Sequence, residues 1–191
     1  MQAELITQGT KIQELLGLKQ PAVAIAFRDT APADIPRVTA PAPAGCGYWK
    51  LAAEGQTFYT EASDHYTCPV GAHTHGVELP PQVATELNGL VQTMVGMQYL
   101  TMADIPMIPR RQGAFRVALY APVTKATFAP DLVLIRGTVR QLMLLAEAAQ
   151  SAGIAGGNAT MGRPTCAVIP ETLQSGQTAS SFGCIGNRVY T

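Results

Sequence analysis

The chain has 191 residues, of which 47% are hydrophobic, and its 13 basic side chains balance its 13 acidic ones. Without an excess of positive charge, the composition argues against a nucleic-acid partner. The longest apolar runs fall well short of the roughly 20 residues that a membrane span needs. The N-terminal segment also lacks the apolar core of a secretion signal, so we expect a cytoplasmic protein without a membrane partner.

The N-terminal part of the chain predicts one helix, one strand and a long connection. Apolar residues at helical spacing predict a helix over residues 3–17, which Gly17 ends. The apolar run VAIAF, residues 23–27, predicts a short buried strand because turn-forming residues flank it. Residues 30–43 contain four prolines and predict an irregular connection.

The remainder of the chain predicts more helices and strands. Helical periodicity covers residues 80–103, and strand-like apolar runs occupy residues 116–123 and 131–137. Thr138 can cap a helix that ends near Ser151, and the last forty residues predict loops around short elements. The apolar positions of the later helices predict core packing. Together the elements predict an α/β or α+β fold in a compact single domain.

The sequence also contains a weak internal repeat. Cys46 and Cys166 are each followed by Gly-Gln-Thr and then by a second cysteine. The single domain, residues 1–191, could therefore contain two pseudo-symmetric lobes, residues 20–76 and 130–191, joined by a helical middle segment. Such symmetry would bring both cysteine pairs to the interface between the lobes.

Four cysteines are the main candidates for chemistry: Cys46, Cys68, Cys166 and Cys184. Each lies within two residues of a glycine or proline, which predicts turns rather than the middle of apolar elements. Turns expose backbone N–H groups, which stabilise metal-bound thiolates, and Pro69 would fix the chain beside the sulfur of Cys68. We favour ligation of one metal centre by all four over two or three functional cysteines, or over four unconnected structural thiols.

The spacing of the cysteines favours an iron–sulfur cluster over zinc. Successive cysteines are 22, 98 and 18 residues apart, so the chain lacks the compact CxxC pairs of the commonest zinc sites. Scattered thiolates on well-formed loops suit a buried 4Fe-4S cluster, with zinc as the alternative.

Other side chains near the cysteines are candidates to contact the metal centre or a substrate. His73 and His75 would face the same side of a strand but diverge on a helix, and the glycines around them predict a loop. His73 and His75 are weaker candidates for direct metal ligation than the cysteines. For His65 we expect an ordinary surface or capping role. The further candidates follow two of the cysteines in the sequence: Trp49, Lys50, Asn187 and Arg188.

Six stretches carry a family resemblance: PAVAIAF, GCGYWKLA, HYTCPVGAHTHG, DLVLIRGTVRQLMLL, CAVIP and FGCIGNR. Together they cover most of the chain and resemble the uncharacterised archaeal conserved region family, known as domain of unknown function one hundred and sixty-nine. The resemblance implies an α/β domain in which the four cysteines match recurring positions. It implies no established activity.

Two functional hypotheses follow. The first is an iron–sulfur protein for electron transfer, sensing or cluster-based chemistry. Such a protein would have a redox partner or a small-molecule ligand, and it could be a homo-oligomer. If one cysteine did not ligate, an open iron could bind substrate, with His73 or His75 as acid or base, and the protein would be an enzyme. The second hypothesis is a structural four-cysteine zinc or dithiol protein that binds a small molecule.

Overall fold

Four antiparallel strands form the central sheet. In spatial order they are β2 (Phe58–Glu61), β3 (Val117–Pro122), β1 (Val23–Arg28) and β4 (Leu132–Leu134). The computed structural model describes residues 2–154, 156 and 164–181. β1 pairs with β3 along its whole length, from Val23 opposite Pro122 to Arg28 opposite Val117. Both central strands are therefore covered on each edge, and β2 and β4 are the edge strands.

Six α-helices surround the sheet in the described part of the chain. They are α1 (Gln2–Leu16), α2 (Gly45–Ala53), α3 (Pro69–Thr74), α4 (Pro81–Gly96), α5 (Val139–Ser151) and α6 (Val168–Ser175). Four short 3-10 helices lie between them: Ala62–His65, Ile105–Met107, Val123–Lys125 and Thr165–Ala167. No helix among the described residues is long and apolar enough to cross a membrane.

The predicted mixture of helix and strand in one domain is confirmed, and the antiparallel sheet makes the fold α+β. The proline-rich connection contains only an isolated bridge, from Arg37 to Tyr59. The strand predicted over residues 131–137 is shorter, since only Leu132–Leu134 pairs with β1. The two-lobe organisation stays a prediction, because Cys184 lies outside the described residues.

The two faces of the sheet are packed differently. One face carries large side chains, including Ile25, Phe58 and Tyr120, and packs against α2 and the segment around α6. The opposite face is lined by alanines of β1 and β3, and α1 lies close to it. A Cβ atom added to Gly9 of α1 would come within 2.3 Å of the Val123 side chain. Small residues therefore let α1 approach the sheet closely, while the aromatic face carries the thicker core.

Two later helices contribute little to the core, so the prediction that their apolar positions are core residues is wrong. Met94 is the buried residue of α4, and none of the α5 residues is buried. Met143 and Leu144 of α5 are 53% and 44% exposed. An apolar stripe shows which side of a helix can pack, but the extent of burial depends on what the fold places against that side.

Candidate metal centre

Cys46 lies in the first turn of α2, where the sequence predicted a turn outside any helix. The Gly-Cys-Gly stretch has low helix propensity, but the residues after it bury Tyr48 and Trp49 against the sheet. This packing outweighs the local preference, and the helix therefore begins at Gly45. Cys46 itself is exposed, and no side chain caps the start of the helix.

Cys68 is the N-cap residue of α3, and Pro69 occupies the first helical position. Proline suits this position because its missing N–H would have no partner within the helix. A Cβ atom added to Gly71 would lie 3.2 Å from the Cys68 sulfur and 3.6 Å from the Cα of Gly45. The starts of α2 and α3 are therefore in close backbone contact, with the sulfur of Cys68 at the point where they meet.

Cys166 lies in the 3-10 helix Thr165–Ala167, which leads directly into α6. Its side chain belongs to the large core cluster and is 8% exposed. This 3-10 helix contacts both α2 and α3, which also contact each other. Three of the four predicted ligands therefore lie on segments that meet against the aromatic face of the sheet.

The fourth predicted ligand, Cys184, lies outside the described residues, as do Asn187 and Arg188. Within the described ranges, no group of three or more His, Cys, Asp or Glu side chains is arranged to hold a metal ion. The observed geometry is thus a convergence of three cysteine-bearing segments, and a four-cysteine ligand set stays a prediction.

The cysteine-bearing segments also carry buried hydrogen-bond donors. Trp49, one turn after Cys46, is 3% exposed, and its Nε1 has no hydrogen-bond acceptor among the described residues. Thr165, directly before Cys166, has a buried hydroxyl that also has no hydrogen-bond partner among the described residues. On α6, one carboxylate oxygen of Glu171 is buried without a donor in the same part of the chain. Lys50 differs, since it is exposed and its Nζ lies 2.8 Å from Oε1 of Glu54.

Two histidines form a buried pair beside the cysteine segments. His65 and His75 are 1% and 0% exposed, and their ring centroids lie 5.5 Å apart. Nε2 of His65 lies 2.8 Å from the hydroxyl of Thr60, and Nδ1 of His75 lies 2.6 Å from the carbonyl oxygen of Gly71. Because a carbonyl oxygen can only accept, Nδ1 of His75 carries the proton and Nε2 has the lone pair.

The histidine pair lies beside one cross-strand row of the sheet. Ala118 on β3 is opposite Thr60 on β2 and Phe27 on β1, and residues opposite each other share a face of the sheet. His65 contacts Thr60 at one end of this row, and the ring centroid of His75 lies 6.0 Å from that of Phe27 at the other end.

Burial keeps both imidazoles neutral. It lowers the pKa of His65 to about 3, with a smaller lowering by His75 that Asp64 opposes. Burial also lowers the pKa of His75 to about 4, and the hydrogen bond to the Gly71 carbonyl opposes this. Nδ1 of His65 and Nε2 of His75 have no hydrogen-bond partner in the described part of the chain. Two buried ring nitrogens therefore lack a hydrogen-bond partner among the described residues.

His73 is separated from this pair, because it lies on a helix and not in the predicted loop. α3 extends from Pro69 to Thr74, and His75 follows as its C-cap residue. His73 is half-buried, and burial together with the charge of Arg110 lowers its pKa. The side chains of His73 and His75 therefore lie on different sides of the helix end, and these two residues do not share one site.

The sequence prediction for His65 is wrong, since this residue is part of the core and not a surface or capping group. It also missed Tyr48, whose hydroxyl donates to the Asp64 carbonyl and accepts from the Ala42 N–H. These bonds tie α2 to the segments on either side of it. The local signal that could have indicated burial was the run of aromatic residues after Cys46, which is unusual for an exposed turn.

The fold and the site together define an α+β protein in which three cysteine-bearing helix starts meet on one face of an antiparallel sheet. The chain belongs to the DUF169 family, described as uncharacterised ArCR, whose model matches residues 11–191. The resemblance noted in the sequence is therefore confirmed. No curated protein and no solved structure matches the chain.

Proposed function

We propose that this protein binds an iron–sulfur cluster, of the 4Fe-4S type, through Cys46, Cys68, Cys166 and Cys184. The observation that carries the proposal is the mutual contact of the three segments that hold the first three cysteines. These residues are separated by up to 120 positions in the sequence, so chance would rarely bring all three to one face. Soft thiolates are the ligands that iron–sulfur clusters use.

The chemistry of the surroundings supports an anionic occupant. The starts of α2 and α3 and of the 3-10 helix before α6 have no side-chain cap, and uncapped N–H groups in the first turn of a helix suit an anionic neighbour. The buried donors on Trp49 and Thr165 also need acceptors, which thiolates and sulfides supply. When bound, a cluster would supply electron transfer, or Lewis acidity if one iron stayed open.

The gradient of exposure among the cysteines bears on what the cluster would do. Cys166 is buried, Cys68 is intermediate and Cys46 is exposed. A cluster on these residues would have one edge near the surface, at the start of α2. Such an edge suits electron exchange with a partner or contact with a small molecule, and the proposed role is therefore redox, sensing or cluster-based chemistry.

Anaerobic purification followed by iron, sulfide and zinc analysis tests the proposal. We expect iron and sulfide in equal amounts, with a broad visible absorption. Cys68→Ala should lose both, because its sulfur lies where α2 and α3 meet, whereas the matched variant His73→Ala on the same helix should retain them. Zinc alone would show the four-cysteine zinc protein instead, and a cluster that survives Cys68→Ala would refute the ligand assignment.

A further inference from the structure

The outer side of α5 carries an exposed stripe of side chains that lies apart from the cysteine segments. The stripe consists of two apolar residues, Met143 and Leu144, with Arg140 before them and Glu147 after them. We propose that this α5 stripe is the contact surface for a second copy of the chain. Two copies would pair through antiparallel α5 helices around a twofold axis, whether or not a cluster is bound.

The first step of the argument is that the stripe lies on one side of the helix and points away from the molecule. Its members follow the i, i+3, i+4, i+7 spacing of one helix face, and all four are exposed. The opposite side of α5 faces the rest of the chain, and the residues on it are half-buried: Leu142, Leu145 and Ala149. Beside them, the Gln141 side chain donates to the carbonyl oxygens of Leu16 and Gly17, at 2.9 Å each. The fixed inner side leaves the apolar centre of the stripe exposed to solvent.

The second step concerns the two charged residues of α5, which both belong to the stripe. Arg140 and Glu147 are seven positions apart, which is about 10 Å along the helix axis. They therefore do not pair with each other on one helix. Among the described residues, neither side chain has an ion-pair partner. The stripe thus offers one unpaired charge of each sign on either side of an apolar centre.

The third step is that the stripe is complementary to its own reverse. Arg140 lies three positions before Met143, and Glu147 lies three positions after Leu144. When two α5 helices run antiparallel with the twofold axis at the centre of the stripe, the apolar pair of one copy meets that of the other. The same axis places each Arg140 opposite Glu147 of the other copy, at both ends of the contact. A parallel pair would bring like charges together, so the charges select the antiparallel arrangement.

The size of the contact sets the expected affinity. α5 has 13 residues, and two helices of this length bury less than the standard protein interface of about 1,600 Å². We therefore expect a reversible dimer with a Kd on the order of 100 μM. At the low micromolar concentrations of denaturant titrations the chain would be monomeric, with α5 exposed.

Sedimentation equilibrium of the full chain at about 5–500 μM tests the pairing. We expect the weight-average mass to rise from that of one chain toward that of two. Arg140→Glu and Glu147→Arg should each weaken the dimer about tenfold or more, because each places like charges at both ends of the contact. The matched control is Glu86→Arg, an exposed charge reversal on α4 that should leave the dimer unchanged. Wild-type protein that stays monomeric over this range would overturn the proposal, and so would a dimer that Arg140→Glu leaves intact.

Restoring the order of the charges is the sharper test. The double variant that combines Arg140→Glu with Glu147→Arg exchanges the two charges, so it should dimerise as wild-type protein does. An equal mixture of the two single variants should form a mixed dimer, because each end of the contact then joins opposite charges. If the single variants lose the dimer and neither the double variant nor the mixture recovers it, the antiparallel pairing is wrong. None of these measurements requires a cluster, so a failed dimer leaves the proposed function standing, and an absent cluster leaves the dimer standing.

Discussion

The aromatic face of the sheet and the two helices α4 and α5 all carry large apolar side chains, but the burial of these side chains is very different. Ile25, Tyr48 and Tyr120 are completely buried on that face, whereas Leu90 of α4 and Met143 of α5 are 42% and 53% exposed. The difference arises from partners. α2 and α6 contact strands of that face, and Val70 of α3 packs against the same core, while no element of the described chain covers the outer sides of α4 and α5 to the same degree.

The comparison shows which part of this protein tolerates few substitutions. Close packing restricts which side chains fit, and the buried face is where the cysteine segments, the histidine pair and the orphaned donors all lie. The exposed helices carry no comparable constraint. Mutations and pH changes that act on the buried face should therefore have large effects, and equivalent changes on α4 or α5 should have small ones.

The largest effect is expected from acid, through the histidine pair. Because the pKa values of His65 and His75 in the folded protein, about 3 and about 4, lie below the ordinary 6.5, their contribution to stability is complete above pH 6.5. It is lost as the pH falls from there toward the folded-state values. The free energy of unfolding of metal-free protein should be lower at pH 5 than at pH 7 by on the order of 4 kcal/mol.

Two variants assign this slope to the pair. His75→Asn keeps an N–H donor for the Gly71 carbonyl but cannot titrate, so denaturant unfolding should show a shallower loss between pH 7 and pH 5. His73→Gln removes a half-buried histidine outside the pair, and most of the slope should remain. Equal slopes in His75→Asn and wild-type protein would contradict the assignment, and carboxylates would then be responsible.

The next effect comes from truncating one side chain in each region. Ile25 is 0% exposed and lies opposite Tyr120 and Leu132 at the centre of the sheet, so Ile25→Ala should lower the free energy of unfolding by about 3 kcal/mol. Met143→Ala on α5 removes a comparable side chain that is half exposed and should cost less than about 0.5 kcal/mol. Similar costs from denaturant titrations would show that α5 is covered in solution, for instance by a second copy of the chain.

Elements whose local signals agreed with their packing were predictable from the sequence. The strand at VAIAF was recognised because both of its faces are buried, which makes the sequence continuously apolar. The start of α5 was recognised because Thr138 is a good N-cap residue. α2 was missed, because two glycines beside Cys46 argued for a turn and the stabilising contacts of Tyr48 are distant in sequence.

The site was less predictable than the fold, for a physical reason. The segments that hold Cys46, Cys68 and Cys166 meet only through tertiary contacts. The glycines and prolines around each cysteine indicated only that each residue could be part of a metal centre. The surroundings of His65 are tertiary, because it contacts Thr60 and packs beside the rings of Tyr48 and His75. The residues next to His65 in the sequence give no sign of those contacts, and His65 was therefore predicted to be an ordinary surface residue.

The smallest expected effect lies on the exposed side and concerns the cap of α5. Thr138 accepts a hydrogen bond from the Gln141 N–H at 3.3 Å, and the Gln141 side chain accepts from the Thr138 N–H at 2.8 Å. Thr138→Ala should therefore cost about 1 kcal/mol and speed amide hydrogen exchange in the first turn of α5. Thr93→Ala, an exposed change within α4, removes only a bond to the Gly89 carbonyl and should be neutral, because alanine is the better helix former. If the two variants unfold alike, packing and not the cap holds α5 in place, and the helix belongs to the constrained part of the molecule after all.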